Sequence, residues 1–496
     1  MELVPAVIIG IYGIIFVVLS IFGVHRYSLI FRYYHNRKQT PPSGTLDPLP
    51  KVTVQLPIYN EAYVVDRLIE AVCNLEYPRD RLQVQVLDDS TDETQRIAKA
   101  GVEKFTRQGV DIAYIHRPDR EGFKAGALAH GLGSAKGEFV AIFDADFIPQ
   151  PGFLMDTIHY FCDEKVGMVQ ARWDHVNRGY SLLTRVQAIL LDGHFVLEHG
   201  ARYFSNLFFN FNGTAGIWRK TSIEDSGGWM HDTLTEDMDL SYRAQLRGWR
   251  FIYVPEVAVP SELPVEMNAF KSQQDRWVKG SIQNARKLLI QVLKSPLPLK
   301  VKVEAVFHLT NNVAHICIAL LAFLIFPAIV VRLHMNWPKS WIVLTDLLVF
   351  AAATGSVFCF YLYSQKEVRQ KLISTIALIP LVMMVGIGIS LNNSKALLEG
   401  LFNTKSPFER TPKFNVQHKL DEWKSKRYRG KQNWLSYIEL GLGVFFTGAI
   451  ALAFYWDLYG SIPFLMLFQC GFLYTGLLSL AQRHPRIAIF RKRALP

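Results

Sequence analysis

The sequence predicts an α/β domain with a mixed, mainly parallel sheet, inserted between an N-terminal transmembrane helix and a C-terminal α-helical membrane domain. Three observations carry that prediction. Six apolar runs, at 4–24, 313–331, 341–363, 372–391, 435–455 and 462–480, approach or exceed the ~20 helical residues that cross a hydrocarbon core. Between the first and second of them, over 50–280, short β-branched runs alternate with polar stretches of helical period. Half of the 496 residues are apolar and only 20% are charged, a balance between that of a globular enzyme and that of a pure membrane protein.

The first run lacks a basic leader and is followed at once by His25, Arg26, Arg32, Arg37 and Lys38, so it reads as an uncleaved anchor that leaves the chain from Arg26 onward in the cytosol. If every later run crossed, the basic segments 395–431 and 483–493 would both fall outside, against the positive-inside rule. Segment 372–401 is therefore expected to be re-entrant or to lie in the interface. Five crossings remain, with the N-terminus outside and the C-terminus inside.

The expected organisation is an anchor at 1–25, a cytosolic domain at 26–280, interfacial helices at 281–312 and a transmembrane hairpin at 313–363. An interfacial or re-entrant segment with a loop follows at 364–434, then a second hairpin at 435–480 and a basic cytosolic tail at 481–496. Much of the +11 net charge sits beside apolar runs, in 419–431 and 483–493, which points to a bilayer surface and not to nucleic acid. The five cysteines are scattered with no C-x-x-C pair, which indicates neither a disulfide frame nor a zinc site.

Within the domain, 52–56, 84–87 and 139–143 read as buried parallel strands, separated by helical stretches such as 61–74 and 92–107. Ligands of such sheets collect outside the carboxyl ends of the strands. After the first strand comes Pro57-Ile58-Tyr59-Asn60-Glu61, with no G-x-G-x-x-G, which argues against a dinucleotide site. The second ends in Asp88-Asp89-Ser90, and the strand at 139–143 in Asp144-Ala145-Asp146. One acid pair at a strand end can be a cap or a solvated turn. Capping does not explain three ends of one sheet that carry acids together. Further on, a helix is expected over 236–248, which Thr235 can cap, then a strand at 250–254 and an amphipathic stretch over 268–292. That stretch carries Gln273, Arg276 and Trp277 towards the membrane, where an Arg-Trp pair also serves as an interfacial anchor.

These residues belong to an ordered series: Tyr59-Asn60-Glu61, Asp88-Asp89, Lys124-Ala125-Gly126, Asp144-Ala145-Asp146, Phe211 to Gly216, Thr235-Glu236-Asp237 and Gln273-Gln274-Asp275-Arg276-Trp277. The series, with its flanking membrane runs, resembles the membrane-bound family 2 glycosyltransferases of the cellulose synthase and glucomannan (mannan) synthase-like group. Ser406 to Lys413 resembles the mannan-like branch. The resemblance implies a GT-A-type nucleotide-sugar-binding domain and an inverting hexosyltransferase. It would pass glucose from UDP-glucose or mannose from GDP-mannose to a growing β-glycan at the cytosolic face, processively and with translocation of the polymer. A single-transfer glycolipid synthase, glycosylating diacylglycerol or ceramide, is the alternative. A transporter or channel fits poorly, because it has no need of strand-end acids and no inverted repeat is visible.

The resemblance also implies roles. Asp144 and Asp146 would hold Mg²⁺ or Mn²⁺ through hard oxygen ligands. Tyr59 would stack on the base, with Glu61, Asp88 and Asp89 bonding the nucleoside. Lys124, in a loop made compliant by Gly122 and Gly126, would reach the diphosphate together with Asp144 and its metal, and Arg276 would bind it bidentately. Asp237 would be the catalytic base with Glu236 beside it. Trp277, Gln273 and Asn212 would hold the acceptor, with Arg172 and Trp173 along its path, and Arg410 to Lys413 would form a gating loop. The compact chain without long inserts suggests a bacterial inner membrane.

Overall fold

The computed structural model describes residues 3–38, 44–334, 338–404, 409–431 and 433–482. The expected basic tail from 483 onward and residues 406–408 of the mannan-like stretch lie outside them.

A seven-stranded sheet organises the domain. Its strands are β1 (Val52–Ile58), β2 (Leu82–Asp88), β3 (Asp111–His116), β4 (Phe139–Ile142), β5 (Val166–His175), β6 (Gly216–Arg219) and β7 (Arg250–Ser261), in the order β3-β2-β1-β4-β6-β5-β7. Strands β1 to β4 pair in parallel, which requires crossover helices on the faces and explains why β1 and β2 are buried at every position. Strand β6 runs antiparallel to both β4 and β5, and β5 pairs in parallel with β7. The helices Val65–Cys73, Thr94–Arg107 and Glu236–Leu246 fall within the predicted stretches; β1, β2 and β4 match the expected strands with ends displaced by one or two residues, and β7 runs on past the expected 250–254 to Ser261.

The parallel register carries the site. Ile58 pairs with Asp88, and Gln55 pairs with Ile142, so the chain leaves β1, β2 and β4 on the same edge of the sheet. Tyr59 to Glu61, Asp89 and Asp144 to Asp146 follow directly from that edge. Asn60 holds a left-handed conformation (φ 53°), which asparagine tolerates. Its amide donates to Ser90 Oγ at 2.7 Å and its Oδ1 accepts from Thr91 N at 2.8 Å, which ties the two loops together.

Among the described residues, four helices are long and apolar enough to cross a membrane: Leu3–Asn36, Val313–His334, Leu435–Tyr455 and the Tyr459–Ala481 segment. A further helix, Lys339–Glu367, covers the run expected at 341–363. The 372–401 segment is a pair of helices, Leu372–Gly388 and Ser390–Leu401, bent by 45° at a short break, a geometry open to a broken span or a re-entrant loop. Membrane helices and domain are joined by buried charge. Glu304 accepts from Arg202 Nε at 3.0 Å and lies 3.0 Å from His25 Nε2 on the first helix. Lys271, on the helix Met267–Lys294, reaches Glu439 of Leu435–Tyr455 at 2.6 Å.

Candidate active site

A cleft opens where the β1, β2 and β4 edge meets the start of Glu236–Leu246 and the helix Met267–Lys294. It is lined by Tyr59, Glu61, Asp89, Lys124, Asp144, Asp146, Asn212, Glu236, Asp237, Gln273, Arg276 and Trp277, so residues far apart in the chain meet in one place. Two of the candidates do not line it: Arg172, whose Nε donates to Pro255 O at 3.0 Å, and Asp88. The Asp88 carboxylate is buried in the sheet, where Oδ2 accepts from Tyr114 OH at 2.7 Å and Oδ1 from Ser90 N at 2.9 Å, so it shapes the turn.

Local backbone fixes the other groups. Lys124 stands in the first turn of the helix Phe123–Gly133 and not in a compliant loop. Gly122 takes φ 69° at the N-cap, and a Cβ on Gly126 would lie 2.0 Å from Glu121 O, so these glycines permit a tight helix start. Lys124 Nζ then donates to Asp144 Oδ1 at 2.5 Å and to Gly213 O at 2.9 Å. Gly213 has φ 82°, and a Cβ there would meet Asp237 Oδ2 at 3.0 Å and Lys124 Nζ at 3.3 Å; the glycine makes room for the two charged groups to converge.

Thr235 occupies the N-cap position of Glu236–Leu246 but does not cap the helix with its side chain. Asn284 Nδ2 donates to Thr235 Oγ1 at 2.8 Å and to its carbonyl at 3.1 Å, which fixes the hydroxyl against the neighbouring helix. Asp237 Oδ1 accepts from Met238 N at 2.8 Å instead. Burial pushes the Asp237 carboxyl up to about 7, Glu236 pushes in the same direction, and Lys124 opposes both. Burial also raises Glu236, and lowers the Arg276 guanidinium. For Lys124, burial alone would lower the ammonium, but Asp144, Glu236 and Asp237 hold it above its ordinary range. Glu61 is raised to about 7 by burial, against Arg410 and with Asp146 and Asp144 adding to the rise.

Several partners of these groups escaped the sequence reading. Arg117 grips Asp89 bidentately, Nε to Oδ1 at 2.8 Å and Nη2 to Oδ2 at 2.5 Å. Arg120 lies over the Tyr59 ring at 3.3 Å from its centroid, so one face of that ring already carries a cation. Glu262, at the end of β7, donates its backbone N–H to Asp146 Oδ2 at 3.1 Å and accepts from Phe414 N at 2.8 Å. Lys413 reaches into the cleft and pairs with Asp146 Oδ2 at 2.7 Å, and Arg276 Nη1 donates to Glu409 O at 2.9 Å. The stretch expected to gate the site thus lies over it, with its lysine on a carboxylate. No motif spacing marks Arg117, Arg120 or Glu262; only tertiary pairing reveals them.

In charge, seven carboxylates (Glu61, Asp89, Asp144, Asp146, Glu236, Asp237, Glu262) face five cations (Arg120, Lys124, Arg276, Arg410, Lys413). Among the described residues, no three Asp, Glu, His or Cys side chains gather closely enough to complete a metal site alone. A hard cation that takes part of its shell from substrate phosphate suits such an arrangement.

The model of the family described as glycosyltransferase like family 2 matches residues 50–280, the span that contains every strand and the cleft. Residues 50–280 are a glycosyltransferase family 2 domain. The chain around this family 2 domain is 37% identical over 370 residues to glucomannan 4-beta-mannosyltransferase 7 of Arabidopsis thaliana, covering 72% of this chain and 63% of that protein. It is 42% identical over 300 residues to glucomannan 4-beta-mannosyltransferase 1 of Cyamopsis tetragonoloba, covering 59% of this chain and 57% of that protein. The chain therefore spans less than two thirds of these relatives' length. A mannosyltransferase of Pyrobaculum calidifontis, solved in complex with GDP-Man and Mn²⁺, superposes with a TM-score of 0.52 at 20% identity, over 78% of this chain and 100% of that chain. The family 2 domain shares its GT-A-like fold.

Proposed function

We propose that the protein is a membrane-embedded, inverting glycosyltransferase that moves a hexose from a nucleotide sugar to a hydroxyl of a β-glycan acceptor at the bilayer surface. One observation carries the reading. The acidic cleft and a second cavity, which runs among the membrane helices, meet at Trp173, Asn212, Asp237, Gln273 and Trp277, so donor and acceptor compartments join at the proposed base.

The chemistry follows from what faces that junction. The acceptor oxygen attacks the anomeric carbon as the bond to the diphosphate breaks, and its proton passes to the Asp237 carboxylate. Burial suits the task, because a carboxyl raised to about 7 is a stronger base than an exposed aspartate and is about half ionised at neutrality. Arg276 offers a planar fork to the departing diphosphate, and Lys124 a point charge. Trp277 gives an acceptor sugar a flat apolar face. The excess of carboxylates fits a divalent ion held by Asp144 and Asp146, Mg²⁺ or Mn²⁺, which would neutralise diphosphate charge when bound. Tyr59, Glu61 and Asp89 stand where the nucleoside would lie.

The plant relatives named as mannosyltransferases and the archaeal structure with GDP-Man and Mn²⁺ make GDP-mannose and Mn²⁺ the first pair to assay, with UDP-glucose second. The same plant relatives lend no support to a bacterial membrane. Orientation with the domain in the cytosol rests on the basic residues after the first helix. The test is transfer of labelled hexose by purified protein in nanodiscs. Wild type should turn over one donor, and Asp237→Asn should lose turnover while still binding nucleotide. Undiminished turnover in Asp237→Asn would sink the assignment.

A further inference from the structure

A groove of about 850 Å³ runs between the first helix, Leu3–Asn36, and the helix Leu299–Thr310, and none of the residues that line it borders the cleft. Contacts at its two ends fix how the helices run. His25 stacks on Phe307 with ring centroids 4.0 Å apart and its Nε2 lies 3.0 Å from Glu304 Oε2, while Phe22 meets the same Phe307 at 5.8 Å. At the other end, Asn36 Nδ2 donates to Ser205 Oγ at 3.0 Å and Lys300 Nζ to Ser205 O at 3.0 Å. Phe307 therefore stands level with Phe22 and His25, and Lys300 level with the last turns of the first helix. The two helices are antiparallel, and the ends of the groove differ in chemistry.

One end is hydrocarbon. Phe16, Val17, Ile21 and Val24 line it, within the apolar run long enough to cross a membrane, and Val17, Ile21 and Val24 are exposed. The other end is basic, with Arg32 on one wall and Lys300 on the opposite one. Arg32 Nε donates to Ser28 Oγ at 3.1 Å, which draws the guanidinium back by one turn towards the apolar end. At 1.5 Å per residue the Arg32 backbone lies about 12 Å past Val24, and one turn returns about 5 Å, so the guanidinium stands about 7 Å beyond the apolar run. The headgroup layer on each side of a bilayer is about 5 to 8 Å deep. Among the described residues neither Arg32 nor Lys300 pairs with a carboxylate, and the terminal nitrogens of Arg32 have no hydrogen-bond partner. Glu304, the one carboxylate among the described lining residues, is already engaged by Arg202 Nε at 3.0 Å and by His25.

We infer that this groove is a binding site for an anionic phospholipid, its phosphate bonded by Arg32 and Lys300 and an acyl chain lying along Val24, Ile21 and Val17. Guanidinium and ammonium groups bond phosphate oxygens strongly, and an exposed aliphatic strip adds contact with a chain. A phosphocholine headgroup suits the site less well, because it carries its own cation to two others. The bound lipid joins the anchor to the helix that leads into Val313–His334, and the inference is independent of the chemistry at Asp237.

Native mass spectrometry of the full-length protein in a mild non-ionic detergent reads the bound lipid directly. The titrants are palmitoyl-oleoyl phosphatidylglycerol, the matching phosphatidylcholine, and glycerophosphoglycerol, which keeps the anionic headgroup without chains. Phosphatidylglycerol should bind about tenfold more tightly than phosphatidylcholine, the worth of one hydrogen bond to a charged group. Glycerophosphoglycerol should bind more weakly than either lipid. Arg32→Gln and Lys300→Gln should each remove most of the preference. Lys302→Gln takes the same charge from the same helix outside the groove, and should keep it. Val24→Trp, which puts an indole into the apolar end, should weaken both lipids together. Equal affinity for the two lipids would overturn the site, as would glycerophosphoglycerol binding as tightly as the intact lipid. A preference lost equally in Lys302→Gln would reduce it to diffuse surface charge. A mass of two chains without lipid would give the groove to a second copy instead. The wild-type comparison decides the matter even if a variant fails to fold.

Discussion

Lys413 Nζ sits 2.7 Å from Asp146 Oδ2 and also donates to Glu262 O at 2.6 Å, so a loop lysine rests on a carboxylate that the proposed ion needs. Lysine and ion then compete for one oxygen. Lys413→Met should tighten Mn²⁺ binding in the absence of donor by about tenfold, the factor that 1.4 kcal/mol supplies. It should also lower the melting temperature without ion and recover it with ion, because the variant leaves Asp146 buried and unpaired. Calorimetric titration and thermal melts with and without Mn²⁺ check both effects. Unchanged ion affinity would separate Asp146 from the metal.

The pH profile should follow Asp237. In the proposed role the active form is the carboxylate, and burial with Glu236 raises its pKa to about 7, so kcat/KM should climb as pH rises through that value and fall away below it. Removing a neighbouring negative charge lowers the pKa. Glu236→Gln should therefore move the limb to lower pH, and measurement of kcat/KM between about pH 5.5 and 8.5 reads the shift. Asp237→Asn should cut kcat by about 10² to 10⁴, the usual worth of a general base.

Trp277 borders both the cleft and the membrane cavity, whereas Tyr59 and Asp89 border only the cleft. Trp277→Ala should accordingly raise the acceptor KM by about tenfold with donor affinity nearly intact, and Trp277→Phe, which keeps a flat apolar ring, should restore much of the loss. A parallel loss of donor binding would place the indole on the nucleotide side instead.

The parts of the site that rest on chain periodicity were legible in the sequence. β1, β2 and β4 announced themselves as β-branched runs, and parallel pairing then obliged Glu61, Asp89 and Asp146 to share an edge. Strands β5 and β6 did not announce themselves, since the four residues of Gly216–Arg219 carry too little pattern to distinguish a strand from a loop. Asp88 and Asp89 look alike in the chain, yet alternation along β2 sends the first to Tyr114 and leaves the second at the cleft. Arg117, Arg120 and Glu262 were invisible for a different reason. Each acts through a partner distant in sequence, and an isolated charge has no period.

Arg117 offers a stability test of such a partner. Its guanidinium holds Asp89 with two hydrogen bonds, and both side chains are largely buried. Arg117→Ala should destabilise the protein by about 3 kcal/mol, the low end for stripping one partner from a buried pair. Arg117→Ala with Asp89→Asn should recover part of that, as the unpaired charge is gone. Chemical denaturation of the two variants measures the difference, and equal losses would show that the pair matters for packing only.

Gly213 is the position where backbone geometry bears most directly on the proposed base and its neighbouring lysine. Its φ of 82° lies where a side chain is strained, and a Cβ would stand 3.0 Å from Asp237 Oδ2 and 3.3 Å from Lys124 Nζ. Gly213→Ala therefore adds about 1 to 2 kcal/mol of left-handed strain and pushes two reacting groups outward by a few tenths of an ångström. Catalytic geometry is far less forgiving than folding, and a displacement of about 1 Å can cost a hundredfold in rate. The variant should lose about tenfold in kcat with only a small drop in melting temperature. Donor affinity should fall less than kcat, because Arg276 approaches from the opposite helix and is untouched. A variant with full kcat would mean that Asp237 and Lys124 work from positions other than the ones they hold here, and the proposed base would have to be sought elsewhere in the cleft.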